Sequence, residues 1–333
     1  MGRVTLKDVA KKADVSYQTV SKVLNGKAFI STTTEARIWD AIKELNYQPN
    51  IAARNLRTQK SNLIGFSWSP RDALNPIVDR FLYSTTRTLQ DEGYHVLMFP
   101  NDEAKANRFW DLYYTGQVSG YVLTSTDHDD SRVAELIDQN IPFATFGRAN
   151  DDWEFNWVDI DGQYGIELVV DHLHSKQHEK IALFTWAEGS RAGEDRERGY
   201  FNQMQKMGTH TRPDWVVRMD GTVEAGYRSA QAILNLPEND RPTAIVCVSD
   251  ILAIGAMNVI AAAGLQVGKD IAVTGYDNIP MTEFLHPPLT TVQQPVEAAG
   301  ERVARMLLTQ IDNKEASKEQ ALLRPNLVIR ASA

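Results

Sequence analysis

The sequence predicts an all-α helix-turn-helix head, followed by an α/β two-lobed core of parallel, doubly wound sheets. Three observations carry that reading. Residues 4–25 hold two helix-period apolar patterns on either side of a tight turn. From residue 62 onward, short apolar runs alternate with helical stretches in two successive series. Finally, the positive charge gathers at one end of a chain that is acidic overall.

In the first helix Leu6, Val9, Ala10 and Ala13 recur at i, i+3, i+4 and i+7, which aligns one apolar face. Thr5 is placed to cap this helix with Asp8 three residues on, and Val4 and Val9 flank the cap as a staple. Ser16 caps the second helix, whose Val20, Val23 and Leu24 point back at the first. Outward on the second helix stand Tyr17, Gln18, Ser21, Lys22 and Asn25, side chains that hydrogen-bond base edges and phosphates. Tyr17, Gln18 and Lys22 are the expected base readers. Thr5, Ser16, Thr19, Ser21 and Asn25 are expected to position the head on phosphates.

Residues 1–60 carry 11 Lys and Arg against 5 Asp and Glu, a net of +6, while the rest of the chain carries −14. The overall acidity alone would argue against nucleic acid. The split argues the other way, because a basic head puts a polyanion at one end. The lone cysteine, Cys247, lies in the apolar run Thr243–Val248 and reads as a small hydrophobe in a buried strand. Without a disulfide framework, an apolar signal region or a bilayer-spanning run, a soluble cytoplasmic protein is expected, with no membrane partner.

A third helix is expected with Thr33 or Thr34 as cap and Ile38, Ala41, Ile42 and Leu45 on its apolar face. Residues 50–60 are too few and too polar for a stable isolated helix, and Arg54, Arg57 and Lys60 favour a phosphate-lined groove. The bland alternative is a plain linker whose Leu56 rests on the body.

Beyond it, apolar runs begin near Leu63, Tyr94, Gly120, Pro142 and Val158, then near Lys180, Trp215, Ala244 and Ile271. Strands alternating with helices mean parallel sheets covered on both faces, here two of them. Late runs near 290–293 and 325–330 suggest that the chain crosses back and forth between the halves. The expected division is a DNA-binding domain over 1–49, a hinge or linker over 50–61, and a two-lobed body over 62–333, whose effector-binding and dimerisation roles rest on a family resemblance. In the last, one lobe spans about 62–161 and 291–322, the other about 162–290 and 323–333.

The Val4-Thr5-Leu6-x-Asp8-Val9-Ala10 start, the Val15-Ser16-x-x-Thr19-Val20-Ser21 turn and the Asn46-Tyr47-x-Pro49-Asn50 exit resemble the lactose/galactose-repressor family of bacterial regulators. The order of later motifs extends the resemblance over essentially the whole chain. One departure is Asp14, where the family usually has glycine; Asp tolerates a left-handed backbone better than most residues.

The resemblance implies a periplasmic-binding-protein-like core and a hinge helix that folds in the minor groove, with Asn50 and Arg54 at the DNA. Leu56 would be the wedge and Ala53 would allow close approach. It also implies a homodimer on a near-palindromic operator. Effector-contacting positions map onto Ser69, Ser125, Asp127, Arg148, Trp157, Arg196, Asp250 and Asp277, each just after a strand.

Asp and Arg give hydroxyls bidentate partners, and Trp157 or Trp186 could stack on a pyranose, so a small carbohydrate effector is expected. A nucleobase or phosphorylated corepressor is the rival, kept open by Ser190–Gly193 with Arg196 and Arg198. The apolar surface after Asp250 (Ile251, Leu252, Ile254, Met257) is a candidate dimer contact, and buried helix packing explains it equally well. No phosphate loop or nucleophile elbow supports an enzyme, no cofactor is expected, and His172, His174 and His178 read as a solvated helix end and not a metal site. A solute-binding protein without a regulatory role is disfavoured by the DNA-reading head.

Overall fold

The computed structural model describes residues 4–24, 30–47, 61–68, 75–100, 110–209 and 211–333. Asn25, Asn50, Ala53, Arg54, Leu56 and Ser69 lie outside them, with the rest of the expected hinge up to Lys60. The chain divides into two compact units, residues 1–61 and 62–333.

The first unit comprises α1 (Leu6–Lys12), α2 (Tyr17–Leu24) and α3 (Thr32–Glu44). They close over Val9, Ala10, Ala13, Val20, Ile38, Ala41 and Tyr47, all buried, as the periodicity requires. The Asp8 carboxylate accepts from Thr5 N at 2.8 Å and Thr5 Oγ1 at 2.7 Å, which fixes the start of α1. Asp14 takes φ +50°, the left-handed conformation that the turn demands. The cap of α3 is Ser31 and not Thr33 or Thr34: its hydroxyl accepts from Thr34 N, so the helix starts earlier than expected.

In the second unit one lobe is built on β1 (Leu63–Trp68), β2 (His95–Pro100), β3 (Tyr121–Leu123), β4 (Phe143–Phe146) and β5 (Asn156–Ile160). A late strand, β11 (Gln320–Leu323), completes its sheet in the order β11-β5-β4-β3-β1-β2, parallel throughout. Helices α4 (Pro76–Asp91), α5 (Asp111–Tyr114), α6 (Ser131–Asp138) and α11 (Val296–Asp312) accompany it. The inner strands β1, β3 and β4, covered on both faces, are apolar on both. Val122 joins the cluster of Ile64, Phe66 and Phe81, while Tyr121 and Leu123 join Val133, Leu136 and Phe155.

The other lobe repeats the plan. It holds β6 (Ile181–Trp186), β7 (Val216–Met219), β8 (Ala244–Cys247) and β9 (Ala272–Thr274) in the order β7-β6-β8-β9, with α7 (Gly162–Ser175), α8 (Arg191–Lys206), α9 (Val223–Leu234) and α10 (Asp250–Ala262). Strand β10 (Thr291–Gln293) pairs antiparallel with β12 (Asn326–Val328), and Thr290 just before it is bridged to β9. The return to the first lobe therefore comes after Gln293 and not at the expected 291, and the last crossing follows Leu323. Both sheets reverse strand order next to their first strand, between β1 and β3 and between β6 and β8. Parallel sheets open a crevice at the carboxyl ends on either side of such a reversal.

Candidate functional site

On the head, Tyr17 (46% exposed), Gln18 and Lys22 lie on the outer face of α2, with Tyr17 and Gln18 in its first turn. A recognition helix presents its amino-terminal residues to base edges in this way. Thr5 and Ser16 are exposed or nearly so, and they stand at the amino ends of α1 and α2. Ser16 Oγ takes Thr19 N at 3.1 Å and meets Thr19 Oγ1 at 2.8 Å, so the capping pair orders the end of the helix that would meet a phosphate.

Between the lobes of the second unit lies a cleft of about 840 Å³. Its walls come from the loops after β3 (Thr124–Asp127), β6 (Ala187–Ser190) and β8 (Ser249, Ile251), which are the order-reversal positions, and from the amino end of α4 (Asn75–Val78). Ser125, Asp127, Arg196 and Asp277 line it as expected. Arg196 is buried, its guanidinium 3.7 Å from the Tyr276 ring centroid and 4.9 Å from that of Trp186, with Nη1 donating to Val248 O at 2.5 Å. Arg196 Nε and Thr126 Oγ1 have no hydrogen-bond partner among the described residues.

Asp277 takes φ +119° after β9 and accepts from Gln294 Nε2 at 2.6 Å. Burial pushes its pKa up to about 6, although Arg196 and Gln294 pull the other way.

Asp250 does not line the cleft. It is fully buried and accepts from Ile279 N at 2.8 Å and Thr291 Oγ1 at 2.5 Å, so it props the loop that carries Asp277. Burial, and then the neighbouring Asp277, raise its pKa well above the carboxylate range. The position just after β8 is right; the side chain turns inward because the 277–279 loop needs an acceptor beneath it.

Trp157 does not line the cleft either. It packs with Tyr121 and Phe155 in the first lobe and sits beside Arg148, 5.7 Å from guanidinium to ring. Asp159, two residues or about 6.6 Å further along the same strand face, takes the lining position. Arg148 binds the wall's carboxylates and does not line the space itself: Nε meets Asp159 at 2.9 Å, and Nη2 pairs with Asp195 of α8 across the lobes. Burial alone would lower the Arg148 pKa, but Asp159, Asp195 and Asp151 outweigh it. Burial raises Asp195 despite Arg148; with Arg198 Nη1 also 3.1 Å away, the geometry is that of a charged pair. Arg191 answers in the opposite direction, pairing with Asp151 and donating to Ala149 O at 2.6 Å.

Trp186, the other ring expected from sequence, does line the cleft. Asp159 and Asp195 were missed, though strand alternation from Trp157 and adjacency to Arg196 pointed at them. Asn75, Asp220 and Gln294 carry no comparable signal. His178 Nδ1 is 2.9 Å from Thr243 Oγ1, and among the described residues no three His, Cys, Asp or Glu gather as metal ligands.

A helix-turn-helix head joined to a two-lobed, periplasmic-binding-protein-like body defines a transcription regulator. Residues 5–50 match the family described as bacterial regulatory proteins, lacI family, and residues 170–333 match a periplasmic binding protein-like domain. The chain is 30% identical to the HTH-type transcriptional repressor PurR of Aliivibrio fischeri, over 98% of each chain. The lac repressor dimer bound to operator and the anti-inducer ONPF superposes with a TM-score of 0.88 at 29% identity, over 99% of each chain. A complex of the transcriptional regulator CelR with cellobiose gives 0.76 at 26% identity, over 99% of this chain and 100% of that one. The chain belongs to the lacI family and is a DNA-binding transcriptional repressor. Among the described residues no helix is long and apolar enough to cross a membrane.

Proposed function

We infer that the cleft binds a small neutral carbohydrate and that its occupancy sets the grip of paired heads on a near-palindromic operator. One observation carries the effector class. Among the described residues, six lining side chains are carboxylates (Asp127, Asp159, Glu188, Asp195, Asp220 and Asp277) against a single lining guanidinium, Arg196; with Arg148 paired to Asp159 and Asp195 from behind the wall, the carboxylates still outnumber the guanidiniums. Sugar hydroxyls donate to carboxylates and accept from arginine, whereas a phosphate dianion would face that acidic wall at close range. Ile77, Phe146, Ile160, Trp186, Ile251 and Ile279 supply the apolar surface that a pyranose face needs. The cellobiose bound by CelR is a ligand of this class on the same fold. A nucleobase is the second reading, favoured by the Phe146 and Trp186 rings in the walls.

Residues 1–49 then read the operator through Tyr17, Gln18 and Lys22, with Thr5, Ser16, Thr19, Ser21 and Asn25 on phosphates. The hinge, 50–61, places Asn50, Ala53, Arg54 and the Leu56 wedge in the minor groove. Ligand in the cleft bears on the ion pair that Arg148 makes across the lobes, changes the lobe angle and so biases the hinge. A useful switch needs a coupling of about 1–3 kcal/mol. The protein acts in the cytoplasm as a homodimer.

A thermal-shift screen of neutral sugars, sugar phosphates and purines tests the effector class. A ligand at 100 times its dissociation constant adds about 2.7 kcal/mol of stability. Stabilisation by neutral sugars supports the reading; stabilisation by purines or phosphorylated compounds alone overturns it and leaves DNA binding untouched.

A further inference from the structure

A second hollow, of about 300 Å³, opens next to the cleft on the second lobe. Its walls include Trp186, Glu194, Glu197, Arg198, Phe201 and Arg218, so it lies between one face of α8 and the edge strand β7. Glu194, Glu197, Arg198 and Phe201 stand at i, i+3, i+4 and i+7, a single helical stripe. Trp186, Ala187 and Glu188 line both hollows, so the two meet at one indole ring. Ala187 is the small residue among the three, so a ligand reaching both spaces would pass over it, between the indole and Glu188.

An ordinary solvated helix face does not look like this. Phe201 is 36% exposed on a strongly charged helix, its ring edge-on to buried Tyr200 at 5.3 Å. Arg218 pairs with Glu197 across the hollow. Arg198 gives one nitrogen to Asp195, at 3.1 Å, while its side chain stays largely exposed. The Trp186 ring stacks with Arg196 on the cleft side, so the same indole serves both spaces.

Among the described residues that line it, three carboxylates, Glu188, Glu194 and Glu197, stand against two guanidiniums. Such a near-balanced mixture of donors and acceptors suits hydroxyls and not an isolated anion. The volume is at the bottom of the range for small-molecule pockets, about 300–1,000 Å³, so it fits one ring of a longer ligand better than a whole one.

We propose that this hollow is a second sugar subsite, and that the effector is a neutral oligosaccharide of at least two rings. One ring sits between the lobes and the next lies on Phe201, its hydroxyls shared among Arg198, Arg218 and Glu197. The inference rests on the carbohydrate reading above and adds the length of the ligand. It also couples the outer ring to the lobes, because Glu194 meets His128 Nε2 of the first lobe at 3.1 Å.

Calorimetric titration of the full-length protein tests it, with glucose, galactose and fructose against maltose, cellobiose, sucrose, lactose and maltotriose. The tightest ligand should be an oligosaccharide, binding about tenfold or more tighter than any monosaccharide it contains. Phe201→Ala and Arg218→Gln should each shrink that preference several-fold, and Phe201→Trp, which keeps a ring, should retain it. A monosaccharide that binds as tightly as the oligosaccharides containing it overturns the second subsite and leaves the sugar reading standing. A preference that both variants leave intact also overturns the subsite. Failure of every neutral sugar to bind overturns the sugar reading, and this inference with it.

Discussion

Asp277 and Asp250 belong to one hydrogen-bonded corner, yet only Asp277 reaches the cleft, and its protonation follows from where it is held. Its pKa in the folded chain is raised to about 6 from 3.8, burial being the main cause. A carboxyl with a raised folded pKa binds its proton more tightly when folded. Its contribution to stability is therefore complete below about pH 3.8 and disappears as pH climbs through about 6. Asp250 and Asp195 shift in the same direction; of the lowered groups, Asp8 and Asp214 act only below the ordinary carboxylate range, while His178, lowered from 6.5 by burial and then by His172, costs stability as pH falls through 6.5 and so opposes the three aspartates. The ligand-free protein should thus melt at a lower temperature at pH 7.5 than at pH 5, and Asp277→Asn should flatten that slope. Calorimetric scans across this range check it; an unchanged slope in the variant would locate the effect elsewhere. The same substitution removes an ionised acceptor. Charge-assisted hydrogen bonds are worth roughly 1.5–3 kcal/mol, so sugar affinity at pH 7.5 should fall on the order of tenfold to a hundredfold. Binding of the tightest sugar within twofold of the unmodified protein would remove Asp277 from the ligand.

At the scale of elements, α9 and α10 cross at a separation that only glycine permits. A methyl group on Gly226 would run into the backbone at Leu252, and one on Gly255 into the backbone at Val223 and Tyr227. Backbone cannot rotate aside as a side chain can. Gly255→Ala should therefore cost about 1–3 kcal/mol and lower the melting point by several degrees, readable by differential scanning calorimetry. A gain, as expected of glycine-to-alanine in an unhindered helix, would refute the close crossing. Such crossings are hard to see in a sequence, and this limit recurs. The helices α1 and α2 were legible because each buries one stripe, and the strands because apolar runs of four to six residues broken by helical stretches suit few other folds. Helix α10 is apolar nearly all round, so its pattern did not tell inside from outside. Of the two readings open for that surface, dimer contact and helix packing, Leu252 and Met257 take the second, buried in the lobe's own core, and Ile251 faces the cleft. The cleft was legible as a set of post-strand positions. Which side chain at each position turns inward, as Asp159 does and Trp157 and Asp250 do not, depends on distance along the strand and on loops that need an acceptor.

For the whole molecule, symmetry and charge set the remaining expectations. Met281 (59% exposed) and Phe284 (73%) stand in one short turn after β9, and the proposed homodimer is expected to meet there and not on the buried face of α10. Met281→Glu with Phe284→Glu should convert a dimer to a monomer in sedimentation and weaken operator binding, while the sugar-induced thermal shift persists. A variant that sediments as a dimer moves the interface to another surface. The head's net charge of +6 against the body's −14 makes operator affinity a salt-dependent quantity. Charged and neutral readers on α2 then separate cleanly. Lys22→Ala removes a cation from each head, so beyond the loss at the base it reads, the slope of log affinity against log salt should become shallower, by about one unit per head. Gln18→Ala releases no counterion, so the slope should stay as it was. Its loss should instead fall on one base pair of each half-site, on the order of 1–3 kcal/mol, because a bidentate amide discriminates one edge pattern from the others. Affinities measured on the operator and on single-base variants at several salt concentrations distinguish the two roles. A uniform loss across all sequences in Gln18→Ala, with a shallower slope, would move that residue from the base edges to the backbone.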